Sequence, residues 1–167
     1  MRKLTIRFIV LLLLVAAIGG GIAYAELMKG EAPNFTLKSL KGENIKLSEH
    51  RGEVIMLSFW ATWCDQCKQG MPVLNDIYLK YRNEGFTLLS INTDKNIEKV
   101  TKFLRGEQIA YPILMDDLHE ASKKYEVEDM PATYILDRDG QLRYVHNGYP
   151  EGYQDEFLKQ IRELMEE

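Results

Sequence analysis

Cysteine and histidine are scarce. The 167-residue chain has two cysteines, Cys64 and Cys67, and three histidines, His50, His119 and His146. A structural zinc site takes about four such ligands, and one cysteine pair with three scattered histidines does not supply them. Two cysteines are also too few for the disulfide scaffold of a small secreted protein. A bridge between positions three apart closes too short a loop to stabilise a fold by itself. Basic residues are in deficit, 21 Lys and Arg against 25 Asp and Glu, for a formal net charge of −4. An acidic chain lacks the electrostatic footprint of a nucleic-acid binder, so no nucleic-acid partner is expected. No internal repeat or low-complexity tract interrupts the sequence, and a chain of this length with 46% hydrophobic residues suffices for one well-buried core.

One long apolar run is present, at the start. Arg2, Lys3 and Arg7 precede an apolar or small-residue stretch from Phe8 to Ala25 that closes on Ala23-Tyr24-Ala25. That is the layout of an export signal. Its length, about 18 residues, is near the lower limit for spanning a bilayer. Residues 1–25 are therefore read as a signal peptide cleaved after Ala25 or as a retained membrane anchor, with 26–31 as linker and 32–167 as the folded domain. Either way the domain is expected outside the cytoplasm, in the periplasm or on the outer face of the cytoplasmic membrane. There a cysteine pair can form a disulfide and keep it. Without residues 1–25, which hold three basic and no acidic residues, the formal charge is −7.

The domain alternates strand and helix patterns. Two short alternating segments flank Lys41-Gly42 as a hairpin. The run 53–61 and the stretch 86–93 are apolar throughout, as strands buried on both faces are. Helical spacing of Met71, Leu74, Ile77, Tyr78 and Tyr81 ends at Gly85. Residues 96–109 and 118–127 read as amphipathic helices around a short apolar piece, 111–116. Residues 132–149 read as a hairpin turning at Asp137-Arg138-Asp139-Gly140, and a last helix follows from 153 with Phe157, Ile161 and Leu164 on one face. The expected architecture is an α/β sandwich with a mixed sheet and helices on both faces.

Cys64 follows the first buried strand and opens a helix, and Cys67 lies on the same face one turn in. The partial positive charge and free N–H groups of a helix start favour thiolate over thiol. Cys64 is thus expected to be the more acidic and more exposed sulfur, with a pKa lowered from about 8.5 toward roughly 7 or below. It would act as the nucleophile, and Cys67 would resolve a mixed disulfide on it. Two sulfurs so placed also suit soft copper, so the residues alone leave a copper-binding assembly chaperone as the alternative to disulfide exchange. Met71, Met115 and Met130 lie in apolar runs and read as core fillers rather than copper ligands. Asp137 and Asp139 lack the remaining ligands of a calcium loop, and no metal or cofactor site is expected.

The stretches "FWATWCDQCKQGMP" and "VEDMPATYILDRDGQLRYVHNGY" resemble the thioredoxin superfamily, and "GEAPNFTLKSLKGENIKLSEHRGEVIMLSFWATWC" resembles its TlpA-like or ResA-like exported thiol-disulfide oxidoreductases. The resemblance implies a thioredoxin-like three-layer sandwich with an N-terminal hairpin and, from Asn96 to Gln108 and near Ile113, a helix–strand insertion. It implies that Cys64 and Cys67 form the catalytic, redox-active disulfide. Trp60, Trp63, Met130 and Pro131 would wall the site and contact substrate, with Met130-Pro131 cis and facing the sulfurs, and Pro72 would kink the active-site helix. Its partners would be disulfide-bearing proteins, apocytochrome c or copper-site assembly proteins among them, with electrons resupplied by an integral membrane thiol donor.

This chain departs from the family in three places. Ser58 stands where thioredoxin has a buried Asp, and Gly70 where many ResA-type relatives have a Glu, so two carboxylates that could relay a proton are absent. Asp65 and Gln66 lie between the cysteines as potential-tuning residues. Asp65 is expected to raise the Cys64 pKa and push the couple toward reduction. Thiol peroxidase, on a related fold, is a further alternative, but its motif needs Pro at 57 and Thr or Ser at 61, where this chain has Leu57 and Ala61.

Overall fold

A computed structural model describes residues 30–167. The export-signal reading of residues 1–25 lies outside the described residues. Within them no helix is long and apolar enough to cross a membrane.

The strands are β1 (Gly30–Glu31), β2 (Thr36–Ser39), β3 (Asn44–Lys46), β4 (Val54–Trp60), β5 (Phe86–Asn92), β6 (Ile113–Met115), β7 (Ala132–Leu136) and β8 (Gln141–Asn147). The helices are α1 (Asp65–Tyr81), α2 (Ile97–Leu104), α3 (Glu120–Lys124) and α4 (Tyr153–Glu166), with a 3-10 turn at Leu47–His50. The strands form one sheet in the order β1-β8-β7-β4-β5-β6-β2-β3. β4, β5 and β6 run parallel, whereas β7 opposes β4 and β2 opposes β6. This is the expected mixed sheet. Gly30 and Glu31, at the end of the stretch read as linker, add a two-residue strand at its edge.

All seven residues of β4, and all seven of β5, are buried, which is why these strands read as continuous apolar runs: each has helices or loops on both faces. Val54, Met56 and Trp60 pack with Met71, Leu74, Ile77 and Tyr81 of α1 and with Phe157, Ile161 and Leu164 of α4. Burying such side chains contributes about 1.5–3 kcal/mol each. Phe59 points the other way, where its ring meets Tyr125, just past α3, and Tyr134 of β7. Both expected hairpins form, β2–β3 around Gly42 at φ +95° and β7–β8 around Gly140 at φ +71°.

Two helices are shorter than their amphipathic patterns. The pattern over 96–109 gives a helix only to Leu104, just short of Gly106, whose backbone freedom disfavours helix. Over 118–127 only Glu120–Lys124 is helical, bracketed by His119 and Glu126 in left-handed backbone. β4 is central and its carboxyl end opens onto α1, so the cysteine pair lies at the end of the sheet where open α/β folds place their chemistry.

Candidate active site

Cys64 is the N-cap of α1, with extended backbone at φ −86° and ψ 102°, and its Sγ accepts a hydrogen bond from the Cys67 amide at 3.1 Å. A sulfur thus takes the place usually held by Ser, Thr, Asp or Asn. Cys64 and Cys67 are joined as a disulfide with Cα atoms 5.3 Å apart. Both are buried in this oxidised form, Cys64 5% and Cys67 2% exposed. Cys64 is the more exposed of the two sulfurs, as expected, though only slightly so in this oxidised form. Pro72 lies inside α1, eight residues in, where it leaves the Lys68 carbonyl without its helical donor.

The two tryptophans separate. Trp63 is 64% exposed beside the disulfide, while Trp60 is 2% exposed, packed among the core residues around the cysteines and against Phe103. Trp60 can support the site from beneath but offers no surface to a partner, because it is the last residue of a strand covered on both faces. The Met130-Pro131 bond is cis. Pro131 is buried, and Met130 packs against the core cluster that contains both cysteines. The Met130 sulfur accepts from the Thr93 hydroxyl at 3.8 Å, and Thr93 is itself tied to Trp60 by its amide.

Asp65 is less influential than its position suggests. Its carboxylate is 84% exposed and paired with Lys68 at 2.5 Å, so solvent and a counter-charge screen its field at Cys64. Gln66 does a different task, donating to the Tyr149 carbonyl at 3.1 Å.

Sequence reasoning missed two residues. Asp94, just past β5, accepts from the Thr62 amide at 2.7 Å, the Thr62 hydroxyl at 2.9 Å and the Asn92 amide side chain at 3.1 Å, with Lys99 at 3.6 Å. It thereby fixes the loop that carries Trp63 and Cys64. Burial alone would push its pKa up. The Thr62 and Asn92 hydrogen bonds with the Lys99 charge outweigh burial, and Asp94 titrates below the usual carboxylate range. A carboxylate lowered on folding stabilises above its unfolded pKa, and that stability is lost as pH falls through the folded value. Asp94→Asn is expected to lower the urea midpoint at neutral pH and flatten its decline below about pH 4; a parallel acid limb in urea titrations would contradict this assignment. The only local signal was a carboxylate following a buried strand.

The second is Tyr149, past the end of β8. A Cβ on Gly70 would come within 2.2 Å of its ring, and its hydroxyl lies 3.3 Å from that of Ser58. The ring thus fills the space beside Gly70, one turn along α1 from Cys67. The two positions where the family resemblance led one to expect carboxylates, 58 and 70, meet on one buried tyrosine.

A family model described as AhpC/TSA family matches residues 28–145. The thiol-disulfide oxidoreductase ResA of Bacillus thuringiensis subsp. konkukian is 32% identical over 168 residues, covering 96% of this chain and 97% of the relative. ResA of Bacillus subtilis is 29% identical over 154 residues, covering 88% and 86%. A crystal structure described as the thiol:disulfide interchange protein DsbE from Chlorobium tepidum aligns with a TM-score of 0.79 at 30% identity, covering 83% of this chain and 97% of that one. The thioredoxin-like fold and the oxidoreductase class expected from the sequence agree with these relatives.

Proposed function

The chain belongs to the AhpC/TSA family and is a ResA-like thiol-disulfide oxidoreductase, and from that premise we propose that it works outside the cytoplasm as a reductant of protein disulfides. The observation that carries the reading is the Cys64–Cys67 disulfide at the start of α1, beside an exposed tryptophan able to meet a partner. In the proposed cycle, the Cys64 thiolate attacks a partner disulfide, and Cys67 then displaces the partner and closes the Cys64–Cys67 bond. The partner gains two electrons and the cysteine pair loses them.

The direction follows from how little stabilises the Cys64 thiolate. Strong oxidants owe their potential to a stabilised reduced form. Here the residues between the cysteines are Asp65 and Gln66, neither cationic, and Lys68 is engaged by Asp65. The N-cap hydrogen bond and the helix dipole are modest by comparison. Peroxide chemistry is disfavoured because Ala61 offers no hydroxyl before Cys64 and the Thr62 hydroxyl is committed to Asp94.

Export is supported by the cationic and apolar layout of residues 1–25, cleaved or kept as an anchor. Proteins whose cysteine pairs must be reduced before haem or copper is attached are the proposed partners, apocytochrome c or copper-site proteins, with an integral membrane thiol donor returning electrons. The test is reduction of a folded protein's disulfide with a regenerating thiol. Multiple turnovers per Cys64–Cys67 pair support the reading, and no acceleration over the thiol alone contradicts it.

A further inference from the structure

Closing the cycle requires Cys67 to become a thiolate in the layer where it is now 2% exposed. A buried negative charge is costly unless a donor or cation meets it. The groups that act on the Tyr149 hydroxyl in that layer are themselves hydroxyls, those of Ser58 and Thr133, with Tyr153 beside them. Ser58 is on the β4 face shared by Met56 and Trp60, which pack in one cluster with Cys67 and Tyr149. Its Oγ lies 3.3 Å from the Tyr149 hydroxyl.

Tyr149 is held there from three sides. Its ring sits on Gly70, so close that no Cβ would fit. It stacks on Tyr153 at 4.6 Å and meets Phe157 edge-on at 6.0 Å. Its carbonyl is bound by Gln66 at 3.1 Å, and the preceding Gly148 amide donates to the Pro131 carbonyl at 2.7 Å. One short segment therefore ties the cysteine helix, the cis-proline loop and the central strand together. Cys67 and Gly70, at i and i+3, share the face of α1 on which this ring lies.

We propose that the Ser58–Tyr149 hydroxyl pair is the positioning and charge-stabilising element for Cys67, donating toward its sulfur as the thiolate forms. The inference rests on the disulfide-exchange reading above. The step it serves begins with Cys67 losing its S–H proton to water. The thiolate attacks the Cys64 sulfur, the Cys64–partner bond breaks with its electron pair on the partner sulfur, and that sulfur takes up a proton. Burial raises the Tyr149 pKa above its ordinary value, against the Ser58 and Thr133 hydrogen bonds, so the phenol stays neutral and serves as a donor, not a base. The groups that act on it are Ser58 from β4, Thr133 from β7, Tyr153 from α4 and Tyr111 ahead of β6; Cys67 of α1 packs in the same core cluster, and His146 of β8 contacts Phe157.

The experiment is single-turnover reaction of the reduced protein with an oxidised protein substrate, acid-quenched and resolved into the Cys64 mixed disulfide and released product across a pH series. Tyr149→Phe keeps the ring over Gly70 and removes only the hydroxyl. It is expected to form the mixed disulfide at the parent rate but to release the partner about tenfold more slowly at neutral pH, with the release profile shifted about one unit upward. Ser58→Ala, which leaves Tyr149 intact, is expected to shift release in the same direction and gives the answer if Tyr149→Phe does not fold. Release at the parent rate in both variants overturns the proposal, as does equal slowing of formation and release, which signifies loosened packing alone. A parent protein that forms no mixed disulfide overturns the disulfide-exchange reading itself.

Discussion

Replacing Cys67 by serine is expected to convert the protein from a turnover catalyst into a trap. Cys64 remains the N-cap of α1, still able to attack a partner disulfide, but no second sulfur lies one turn away to displace the partner. Turnover should fall by on the order of a thousandfold or more, as when one member of a set that acts as a unit is removed. A covalent adduct on Cys64, stable until an external thiol is added, should accumulate in its place. Non-reducing electrophoresis and intact mass checks this directly. Retained turnover would show that an outside thiol does the resolving in the parent protein. Cys64→Ser should abolish both turnover and adduct, since Cys67 is the more buried sulfur.

The second large effect concerns stability and changes sign with context. Gly70→Ala should gain about 1 kcal/mol in helix propensity. The added methyl, however, would lie 2.2 Å from the Tyr149 ring, whose own position is fixed by Tyr153 and Phe157. Overpacking in such a site costs about 1–3 kcal/mol, and occasionally more, so a net loss of about 1 kcal/mol is expected in the parent. In a Tyr149→Ala background the same substitution should instead stabilise, by up to about 1 kcal/mol. A double-mutant cycle from urea denaturation measures the difference. If Gly70→Ala has the same effect in both backgrounds, the ring does not press on α1 as described.

Much of the frame was legible in the sequence because it is local. β4 and β5 announce themselves as apolar runs, since a strand covered on both faces has no polar side to alternate with. The β7–β8 turn is written in Asp137 to Gly140, where the Asp137 carboxylate accepts from the Asp139 and Gln141 amides. Cys64 and Cys67 were found from their place between strand and helix. What escaped is what the chain brings together from a distance. Ser58 and Tyr149 are 91 positions apart, and Thr62 and Asp94 are 32 apart. No periodicity links such pairs. Asp65 shows the converse: its i,i+3 partner Lys68 was in plain view in the sequence, but the pair becomes evident only in the fold. Helix ends were overrun where Gly106 and the left-handed residues His119 and Glu126 outweighed the amphipathic pattern.

The Cys64 sulfur has one backbone donor, and Asp65 is neutralised by Lys68. Hydroxyls replace carboxylates beside Cys67. Such a site should hold its disulfide firmly when oxidised and give up electrons readily when reduced, because nothing strongly cationic stabilises the thiolate.

That balance is measured most directly by equilibrating the purified protein across a ladder of thiol–disulfide buffers and alkylating the free cysteines. The account predicts one reversible two-electron transition of the Cys64–Cys67 pair at or below roughly −230 mV, toward the thioredoxin end of the scale. A transition near roughly −120 mV would contradict it and make the protein a disulfide donor.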